Sequence, residues 1–488
     1  MAKIEPANLL LTDKNGNTGL VKSLTNKDIT TLKGVVTNVD YIKDYMNTNN
    51  ITLPVQGDIH LTATDEEGNN IKNLVLKANG AIYWAGNQIR PAINDIGIPG
   101  ELGFGVGICP YSDEELLASG WTPMPGYDDI HSDNYGNYLH NRAGQFVWIP
   151  KFYVRYGDSR SPKYSTYKAN TIEVTSCNNF KDTAEAEAAG WTLPEAFINA
   201  GKEVEGFMIG KWVGESATLE GKTCLVSKGT GYAVNITAPV MMDYCKVTGS
   251  QFNPTRSHMI VAVWDFITRA QQQNATNITN CAWYDYTYAQ CKPRLNRNNA
   301  NLGLYSHNGQ KNGVADATLI WQMCPDVTTA GTSATQGQTQ VTENYLYIIK
   351  RSIDFKDITS GFGGSTDAWG TSTSLLANHD KIPVDFPLTT SWYGELGNGD
   401  NPIYTDLDTD NHKRLHGIIA RNSNAISSAG LNLYKGRQYY NPVTQCMAYY
   451  MCGQNITVDY ESSFSRNFAD WRSLSDAAAG CRLASYVL

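Results

Sequence analysis

Carboxylates that could bind a metal ion are concentrated in one run near position 400. Asp400, Asp406, Asp408 and Asp410 follow one another closely, and carboxylate oxygens are ligands that calcium prefers. However, the run has neither the spaced glycine nor the bidentate glutamate of a twelve-residue calcium-binding loop. We therefore expect a solvated acidic turn there, and we predict no metal site and no cofactor.

The other residue types that perform catalysis form no recognisable constellation. His412 and His416 are not on an evident helix, so we expect both to be solvated loop histidines. The carboxylate pairs Asp128-Asp129 and Asp354/Asp357 could hydrolyse glycosides only at a defined separation in space, which a sequence does not give. Serine-nucleophile and phosphate-loop motifs are absent. We predict that the protein is not an enzyme.

A second group of residues, between positions 419 and 472, has the composition of a binding surface. Tyrosine and tryptophan supply rigid amphipathic anchors, and asparagine, serine and arginine supply adaptable hydrogen bonds. Aromatic faces can stack on sugar rings while the polar groups reach hydroxyls. The alternative is that most of these tyrosines belong to the core. The predicted binding residues are Arg421, Asn432, Tyr434, Arg437, Tyr439, Tyr440, Tyr460, Asn467 and Trp471.

The composition limits which folds could position these residues. A chain of 488 residues is expected to form two to four domains. Only 18% of the residues are charged, while glycine (43), tyrosine (28) and tryptophan (11) are abundant, which favours a protein rich in strands and loops. The net charge of −8 argues against a nucleic-acid partner. No apolar run is long enough to span a membrane.

The first fifty residues are predicted to form an extended arm and an oligomerising helix. Residues 1–25 are expected to be extended and polar. Apolar residues then recur every three or four positions, which indicates a short coiled coil. Self-association, expected as a homotrimer, would stabilise a helix that is marginal alone; the alternative is a single amphipathic helix docked on a neighbouring domain. The recurring residues are Ile29, Leu32, Val36, Val39, Ile42 and Met46.

The next segment, residues 51–99, is predicted to be a small β-rich neck. Short strands joined by Asn-Gly and Gly-Asn turns are expected within it. The remainder, residues 100–488, is predicted to be one large head of α+β class. Its expected strands and helices are Gly103–Ile108, Gln145–Tyr156, Gly206–Val213, Asn344–Asp354 and Ala479–Val487 as strands, and Ala184–Ala189 and Arg256–Gln273 as helices.

Two features of the head are expected to be structural. The apolar stripe of the second helix, Ile260, Val263, Trp264, Ile267 and Ala270, should face the core. The ten cysteines include no Cys-x-x-Cys pair, and the start of the chain has no signal-peptide apolar core. We therefore expect the cysteines to be small buried hydrophobes in a protein made in a reducing cytoplasm.

The polar turn that begins at His307 leads into a buried segment around Trp321. Gly309 and Gly313 are expected to take positive backbone angles there. Together with other segments, this turn resembles tail-fibre proteins of tailed bacteriophages over residues 100–488. The segments that carry the resemblance, in order, are Gly103-Phe-Gly-Val-Gly-Ile-Cys-Pro110, Met124-Pro-Gly-Tyr127, Asp133-Asn-Tyr-Gly-Asn-Tyr138, Phe146-Val-Trp-Ile-Pro-Lys-Phe-Tyr153, Gly206-Phe-Met-Ile-Gly-Lys-Trp212, Ser306-His-Asn-Gly-Gln-Lys-Asn-Gly-Val-Ala-Asp316 with Trp321, and Gly480-Cys-Arg-Leu-Ala484.

These tail-fibre domains look like the formylglycine-generating-enzyme branch of the C-type lectin fold. That branch has Gly-Asn-Val-Trp-Glu where this chain has Thr318-Leu-Ile-Trp-Gln322, so the two calcium ligands of the family are replaced. The enzymes also carry two copper-binding cysteines five positions apart. Here Cys446 and Cys452 are six apart in a different local sequence.

The resemblance implies a virion protein, made in the bacterial cytoplasm, that binds a glycan or protein on the host surface during adsorption. Its N-terminus is then expected to attach to other tail proteins of the virion, without insertion into a membrane. The alternatives are a structural tail or collar protein that contacts other virion proteins, a surface-glycan depolymerase, and a copper-dependent oxidase.

Overall fold

The computed structural model describes the centre of the chain continuously and shorter segments on either side. Before residue 92, and in 438–440, 448–452 and 466–468, it describes the backbone alone. The chain has the mixed α+β composition that the sequence predicts. The described residues are 7–12, 18–24, 59–64, 70–76, 82–84, 87–90, 92–273, 306–315, 321–329, 345–360, 378–383, 409–418, 438–440, 448–452, 466–468, 475 and 479–487.

Short strands dominate the described residues. The strands are β1 (Ala7–Thr12), β2 (Thr18–Leu24), β3 (Ile59–Thr64), β4 (Asn70–Leu76), β5 (Ile82–Trp84), β6 (Asn87–Arg90), β7 (Trp121–Pro123), β8 (Asn137–His140), β9 (Gly144–Pro150), β10 (Phe152–Tyr156), β11 (Ile172–Ser176), β12 (Ile198–Asn199), β13 (Lys202–Glu203), β14 (Gly206–Gly210), β15 (Glu215–Leu219), β16 (Lys222–Val226), β17 (Asn253–Pro254), β18 (Trp321–Thr329), β19 (Tyr345–Ile349), β20 (His379–Pro383), β21 (Gln438–Tyr440), β22 (Ala448–Cys452), β23 (Arg466–Phe468), β24 (Ala479–Gly480) and β25 (Leu483–Ser485). The α-helices are α1 (Asp113–Ala118), α2 (Tyr164–Tyr167), α3 (Thr183–Ala188), α4 (Ala238–Thr248), α5 (Ser257–Gln273) and α6 (Asp410–Leu415). The 3-10 turns are Lys168–Asn170, Cys177–Asn179, Glu195–Phe197 and Phe355–Asp357.

The strands before residue 91 form one antiparallel sheet in the order β2-β1-β3-β4-β5-β6. The short strands predicted in the neck are confirmed as β3 to β6. The extended N-terminal arm pairs with itself as β1 and β2, and Asn8 of β1 is the register partner of Thr62 in β3. The arm and the neck therefore share a sheet. The predicted coiled coil at 29–46 lies outside the described residues.

A second sheet, in the order β17-β25-β14-β9-β8-β7, forms the centre of the head. Its middle strands β9 and β14 pair antiparallel, with Met208 opposite Trp148. All five residues of β14 are buried, as are all of β9 except Gln145. Burial of successive strand positions means that both faces of the sheet are covered, which explains why these strands appear in the sequence as continuous apolar runs.

Helix α5 was predicted as an amphipathic helix and is instead enclosed on nearly all sides. The five stripe residues are buried, as expected. Met259, Val261, Ala262 and Phe266 on the other faces are buried as well, together with the polar side chain of Asp265. A helix that is apolar all round belongs to the interior of a large core.

The prediction of a strand at Gly103–Ile108 is wrong, because this segment is a series of turns. Gly103 and Gly105 take φ values of +72° and +75°, which a strand cannot contain. An added Cβ at Gly105 would lie 2.9 Å from the Phe266 ring. Phe104, Val106 and Ile108 are nevertheless buried, so the alternating apolar pattern reflects burial without extended backbone.

The third sheet has the order β20-β19-β18-β22-β23-β21, with β24 beside β18. Its pairing is interrupted in β18, where the register against β22 jumps between Cys324 and Thr328. Residues 325–327 therefore form a bulge.

Two further observations concern the whole described chain. Five of the six cysteines whose side chains are described are buried, as predicted, and Cys177 is half-buried. Among the described residues no helix is long and apolar enough to cross a membrane.

Candidate functional site

Three of the predicted binding residues lie on neighbouring strands of the third sheet. Tyr439 and Tyr440 are in β21, and Asn467 is in β23. The two strands run parallel, and Tyr439 is the register partner of Asn467. In the described part of this sheet, β21 is an outermost strand. Residues that are distant in sequence thus come to adjacent positions at a sheet edge.

The strand geometry divides this group in two. Successive positions of a strand belong to opposite faces of its sheet. Tyr439 therefore shares a face with Asn467, while Tyr440 shares the other face with its register partner Phe468. A receptor that lies against one face contacts only one of the two tyrosine positions. The remaining predicted residues lie outside the described ones: Arg421, Asn432, Tyr434, Arg437, Tyr460 and Trp471.

Strand β18 connects this sheet edge to the rest of the head. Its first residue, Trp321, is 4% exposed and pairs with Ala479 of β24. The next residue, Gln322, pairs with Gly480 on one side and with Cys452 of β22 on the other. The tryptophan that follows the polar turn is therefore a core residue of the sheet that carries β21 and β23.

The polar turn before β18 is held by a buried histidine. Nδ1 of His307 accepts a hydrogen bond from the backbone N–H of Val314 (2.8 Å), which leaves the proton on Nε2 to be donated to the carbonyl oxygen of Gly105 (3.2 Å). Burial lowers the pKa of His307 to about 3, so the ring is neutral. Gly309 has the predicted positive φ of +74°. Gly313 does not; its small size is needed because an added Cβ would lie 2.3 Å from Oδ1 of Asn308.

The buried side chains of Lys211 and Asn137 hold the same turn in place. Nζ of Lys211 donates to Oδ1 of Asn137 (2.5 Å). The amide of Asn137 donates in turn to the carbonyl oxygens of Tyr135 (2.8 Å) and Asn312 (2.7 Å). Burial lowers the pKa of Lys211 to about 8, although the negative charge of Asp133 acts to raise it.

Arg482 connects three of the segments that carry the resemblance to tail-fibre proteins. Its Nη1 donates to the carbonyl oxygens of Gly210 (2.8 Å) and Lys211 (2.9 Å), and its Nη2 donates to that of Ala315 (2.7 Å). The side chain is fully buried. One guanidinium thus ties the end of β14, the polar turn and the chain next to β25 together, which its planar fork of donors makes possible.

The bulge in β18 brings a second polar cluster to the start of α5. Oδ1 and Oδ2 of Asp326 accept hydrogen bonds from the backbone N–H (2.8 Å) and Oγ (2.9 Å) of Ser257, the first residue of the helix. Nδ1 of His258 and Nε of Arg256 lie 3.4 and 3.6 Å from Oδ2 of Asp326. Burial alone would raise the pKa of Asp326, but the contacts with His258 and Arg256 lower it below its usual range. Bulges commonly re-aim a side chain in this way.

A serine, a histidine and an aspartate meet in this cluster without forming a catalytic triad. Nucleophilic catalysis requires a serine hydroxyl hydrogen-bonded to the histidine that removes its proton. Here the Ser257 hydroxyl donates to Asp326, and Nε2 of His258 donates to the carbonyl oxygen of Arg414 (2.8 Å). Ser257, His258 and Asp326 are also at most 2% exposed. The arrangement caps a helix.

Glu195 anchors a neighbouring network of ion pairs. Nε and Nη2 of Arg351 donate to its carboxylate at 2.7 to 3.0 Å, and Nε of Arg414 lies 3.5 Å away. The two arginines continue outward to other carboxylates, Arg351 to Asp410 (2.8 Å) and Arg414 to Asp380 (2.6 Å). Glu195 is 2% exposed. The network connects the 3-10 turn at Glu195 with β20 and α6.

The prediction of solvated loop histidines is wrong for both residues. His412 lies within α6 and is half-buried, and His416 caps the C-terminus of the same helix and is buried, at 3% exposed. Nε2 of His416 lies 3.2 Å from Oδ2 of Asp265 in α5 and forms a hydrogen bond with the Tyr156 hydroxyl. Of the acidic run, Asp410 is described, and it pairs with Arg351; Asp400, Asp406 and Asp408 lie outside the described residues.

Sequence reasoning did not single out the polar residues that hold this framework. Arg482 stands in the apolar context Gly-Cys-Arg-Leu-Ala, and Lys211 follows the apolar run of β14. A charged residue inside an apolar run is a recognisable signal, because such a residue is rarely buried unless it is paired. Glu195 and Asp326 carry no comparable local signal.

No protein-family model matches the chain, and no curated protein matches it.

Proposed function

We propose that the protein is a tail-fibre protein of a tailed bacteriophage and that it binds the surface of the bacterial host during adsorption. Residues 100–488 would then be a head of C-type-lectin-like fold, related to the formylglycine-generating-enzyme branch. Residues 1–50 would attach the chain to other tail proteins and trimerise it, with residues 51–99 as the neck.

The observation that carries the proposal is the convergence of the resembling segments. Gly206–Trp212, the turn at 306–315 and Gly480–Ala484 lie far apart in sequence, and Arg482 and Lys211 bond them to one another. The segment Phe146–Tyr153 joins them as β9, the neighbour of β14. This packing supports the proposal, because segments that belong to one family fold are expected to contact one another.

The arrangement of polar groups supports binding as the function. The buried ionisable groups described above bond chain segments to one another, so a binding site is expected on the surface, at loops and sheet edges. In the described part of the third sheet, Tyr439 lies in the edge strand β21 and Asn467 in the strand beside it. Weak individual contacts would be sufficient for adsorption, because three heads that engage one cell gain avidity from their linkage.

The proposal predicts that fluorescently labelled full-length chain binds cells of some strains in a panel of bacteria. Within a binding strain, Tyr439→Ser or Tyr440→Ser should weaken binding by about tenfold, as expected for an aromatic anchor. Only the variant on the receptor-facing side of β21 should have this effect, because the two positions belong to opposite faces. Cell-associated fluorescence measured against protein concentration gives the two affinities.

The matched control is Tyr83→Ser in β5, which makes the same change on a strand of the predicted neck. It should bind like the unmodified chain. Unchanged binding by a variant with Tyr439, Tyr440 and Trp471 all replaced would show that these residues are not the site. Failure to bind any strain, together with binding to isolated phage tails, would favour a structural tail protein.

A further inference from the structure

The connection between β10 and β11 is a closed Ω-loop at residues 157–171. The backbone N–H of Gly157 donates to the carbonyl oxygen of Thr171 (2.9 Å), so the two ends of the loop meet. Gly157 has a φ of +59°, and an added Cβ would lie 3.2 Å from the Ala169 carbonyl oxygen. Compact loops of this kind frequently carry function.

The Ω-loop is fixed both internally and to the core. Inside it, the backbone N–H of Ser161 donates to the Asp158 carbonyl oxygen (3.0 Å), and the Thr171 hydroxyl donates to that of Lys168 (2.8 Å). From helix α5, the Gln272 amide donates to the carbonyl oxygen of Asn170 (2.8 Å) and accepts from the backbone N–H of Ile172, the first residue of β11 (2.9 Å). A ligand would therefore meet a preformed surface and lose little affinity to ordering it.

The Ω-loop has a net positive charge, although the net charge of the whole chain is −8. Arg160, Lys163 and Lys168 are its basic residues, and Asp158 is its one acidic residue. Nε of Arg160 pairs with Asp158 (2.9 Å), while 63% of the arginine side chain stays exposed. Nζ of Lys163 donates to the carbonyl oxygen of Gln273 at the end of α5 (3.3 Å).

Lys168 stands in a backbone conformation that normally requires glycine. Its φ of 50° and ψ of −128° fall outside the regions open to residues with a side chain. Strain of this kind costs stability and is concentrated at functional sites. The side chain kept at this cost is exposed, and its Nζ lies 6.0 Å from the centre of the Tyr164 ring.

We propose that the Ω-loop binds an acidic polysaccharide, with the three basic residues on its carboxylate or phosphate groups. Tyr164 and Tyr167 are half-buried rings on which sugar faces can stack, and the exposed hydroxyls of Ser165 and Thr166 can bond to sugar hydroxyls. A nucleic acid carries a much denser charge, which a chain of −8 repels. This site shares no residue with β21 or β23, and the inference stands whether or not the chain is a tail fibre.

The test is titration of the full-length chain with carboxymethyl dextran, with phosphorylated dextran and with neutral dextran of the same length. At least one anionic dextran should bind, more weakly as salt is added, and the comparison of the two identifies the preferred anion. The double variant Lys163→Gln/Lys168→Gly should bind about tenfold more weakly, because it removes two of the three positive charges that would contact the anion.

The variant Lys168→Gly separates binding from folding. It removes a charge and also relieves the backbone strain, so it should unfold at an equal or higher temperature while binding more weakly. Lys222→Ala, on the exposed hairpin of β15 and β16, removes one charge elsewhere and should leave binding unchanged. Equal affinity for neutral dextran, unchanged affinity of the double variant, or no binding of either anionic dextran would each overturn the proposal.

Discussion

Replacing Arg482 with methionine should lower the stability of the head by about 3–5 kcal/mol, since each buried acceptor that loses its partner costs roughly 1–3 kcal/mol. The guanidinium donates to the carbonyl oxygens of Gly210, Lys211 and Ala315, at 2.7 to 2.9 Å. The Lys211 oxygen also accepts from the backbone N–H of Ala315, so the loss falls mainly on the other two acceptors. Methionine fills much of the same volume but offers no donor. The shift in the midpoint of urea unfolding, followed by tryptophan fluorescence, measures the loss.

Lys311→Met is the matched control for this variant. Lys311 pairs with Asp133 at 2.9 Å, but both side chains are mostly exposed, at 77% and 66%. An exposed pair contributes at most about 1 kcal/mol. Equal midpoints for the two variants would mean that the chain segments around Arg482 hold together without it.

Glu195→Gln should cost about 3 kcal/mol at neutral pH, because it leaves the Arg351 and Arg414 guanidinium groups beside a buried neutral amide. The pKa of Glu195 is tied to this contribution. Burial alone would raise it, but the hydrogen bonds from Arg351 and the nearby charges lower it below its ordinary value of 4.5. A carboxyl group with a depressed pKa in the folded state stabilises the fold above its unfolded pKa, and this stability is lost as the pH falls through the folded value.

The difference in urea midpoint between the unmodified chain and Glu195→Gln should therefore be full at neutral pH and shrink below pH 4.5. Glu187→Gln provides the comparison, since Glu187 pairs with Lys413 on the surface, where the side chains are 46% and 30% exposed. That variant should show little effect at any pH. A Glu195→Gln penalty that is the same at neutral and acidic pH would show that the carboxylate charge is not what stabilises the network.

The elements that the sequence predicts well are those whose pattern is local. The apolar run at Gly206–Gly210 and the stripe of α5 need no knowledge of distant residues, and the structure has a strand and a helix there. The strand predicted at Gly103–Ile108 is wrong because burial and extension give the same alternating pattern. The sequence of α5 does not show that the helix is enclosed on nearly all sides, because the segments that cover it come from elsewhere in the chain.

The polar framework could not be predicted, because its partners are distant in sequence. Arg482 bonds to residues that precede it by 167 to 272 positions. His416 contacts Asp265, which is 151 positions away in sequence. Because its local sequence does not show this partner, it predicts a solvated histidine where the structure has a buried one. For the residues predicted to bind, the sequence supplies composition, while the pairing of Tyr439 with Asn467 depends on strand register. The resemblance to tail fibres remains a prediction that the experiments above test.

The position of β25 between β14 and β17 also has a consequence for the order in which the protein folds during synthesis. Gly210, at the end of β14, leaves the ribosome 272 residues before Arg482, which accompanies β25. At the usual rate of translation this interval is roughly 15–50 s. Throughout it, one edge of the apolar strand β14 lacks its final neighbour and is open to pairing with other chains. The nascent protein therefore passes through a long period in which chaperone protection would determine its yield.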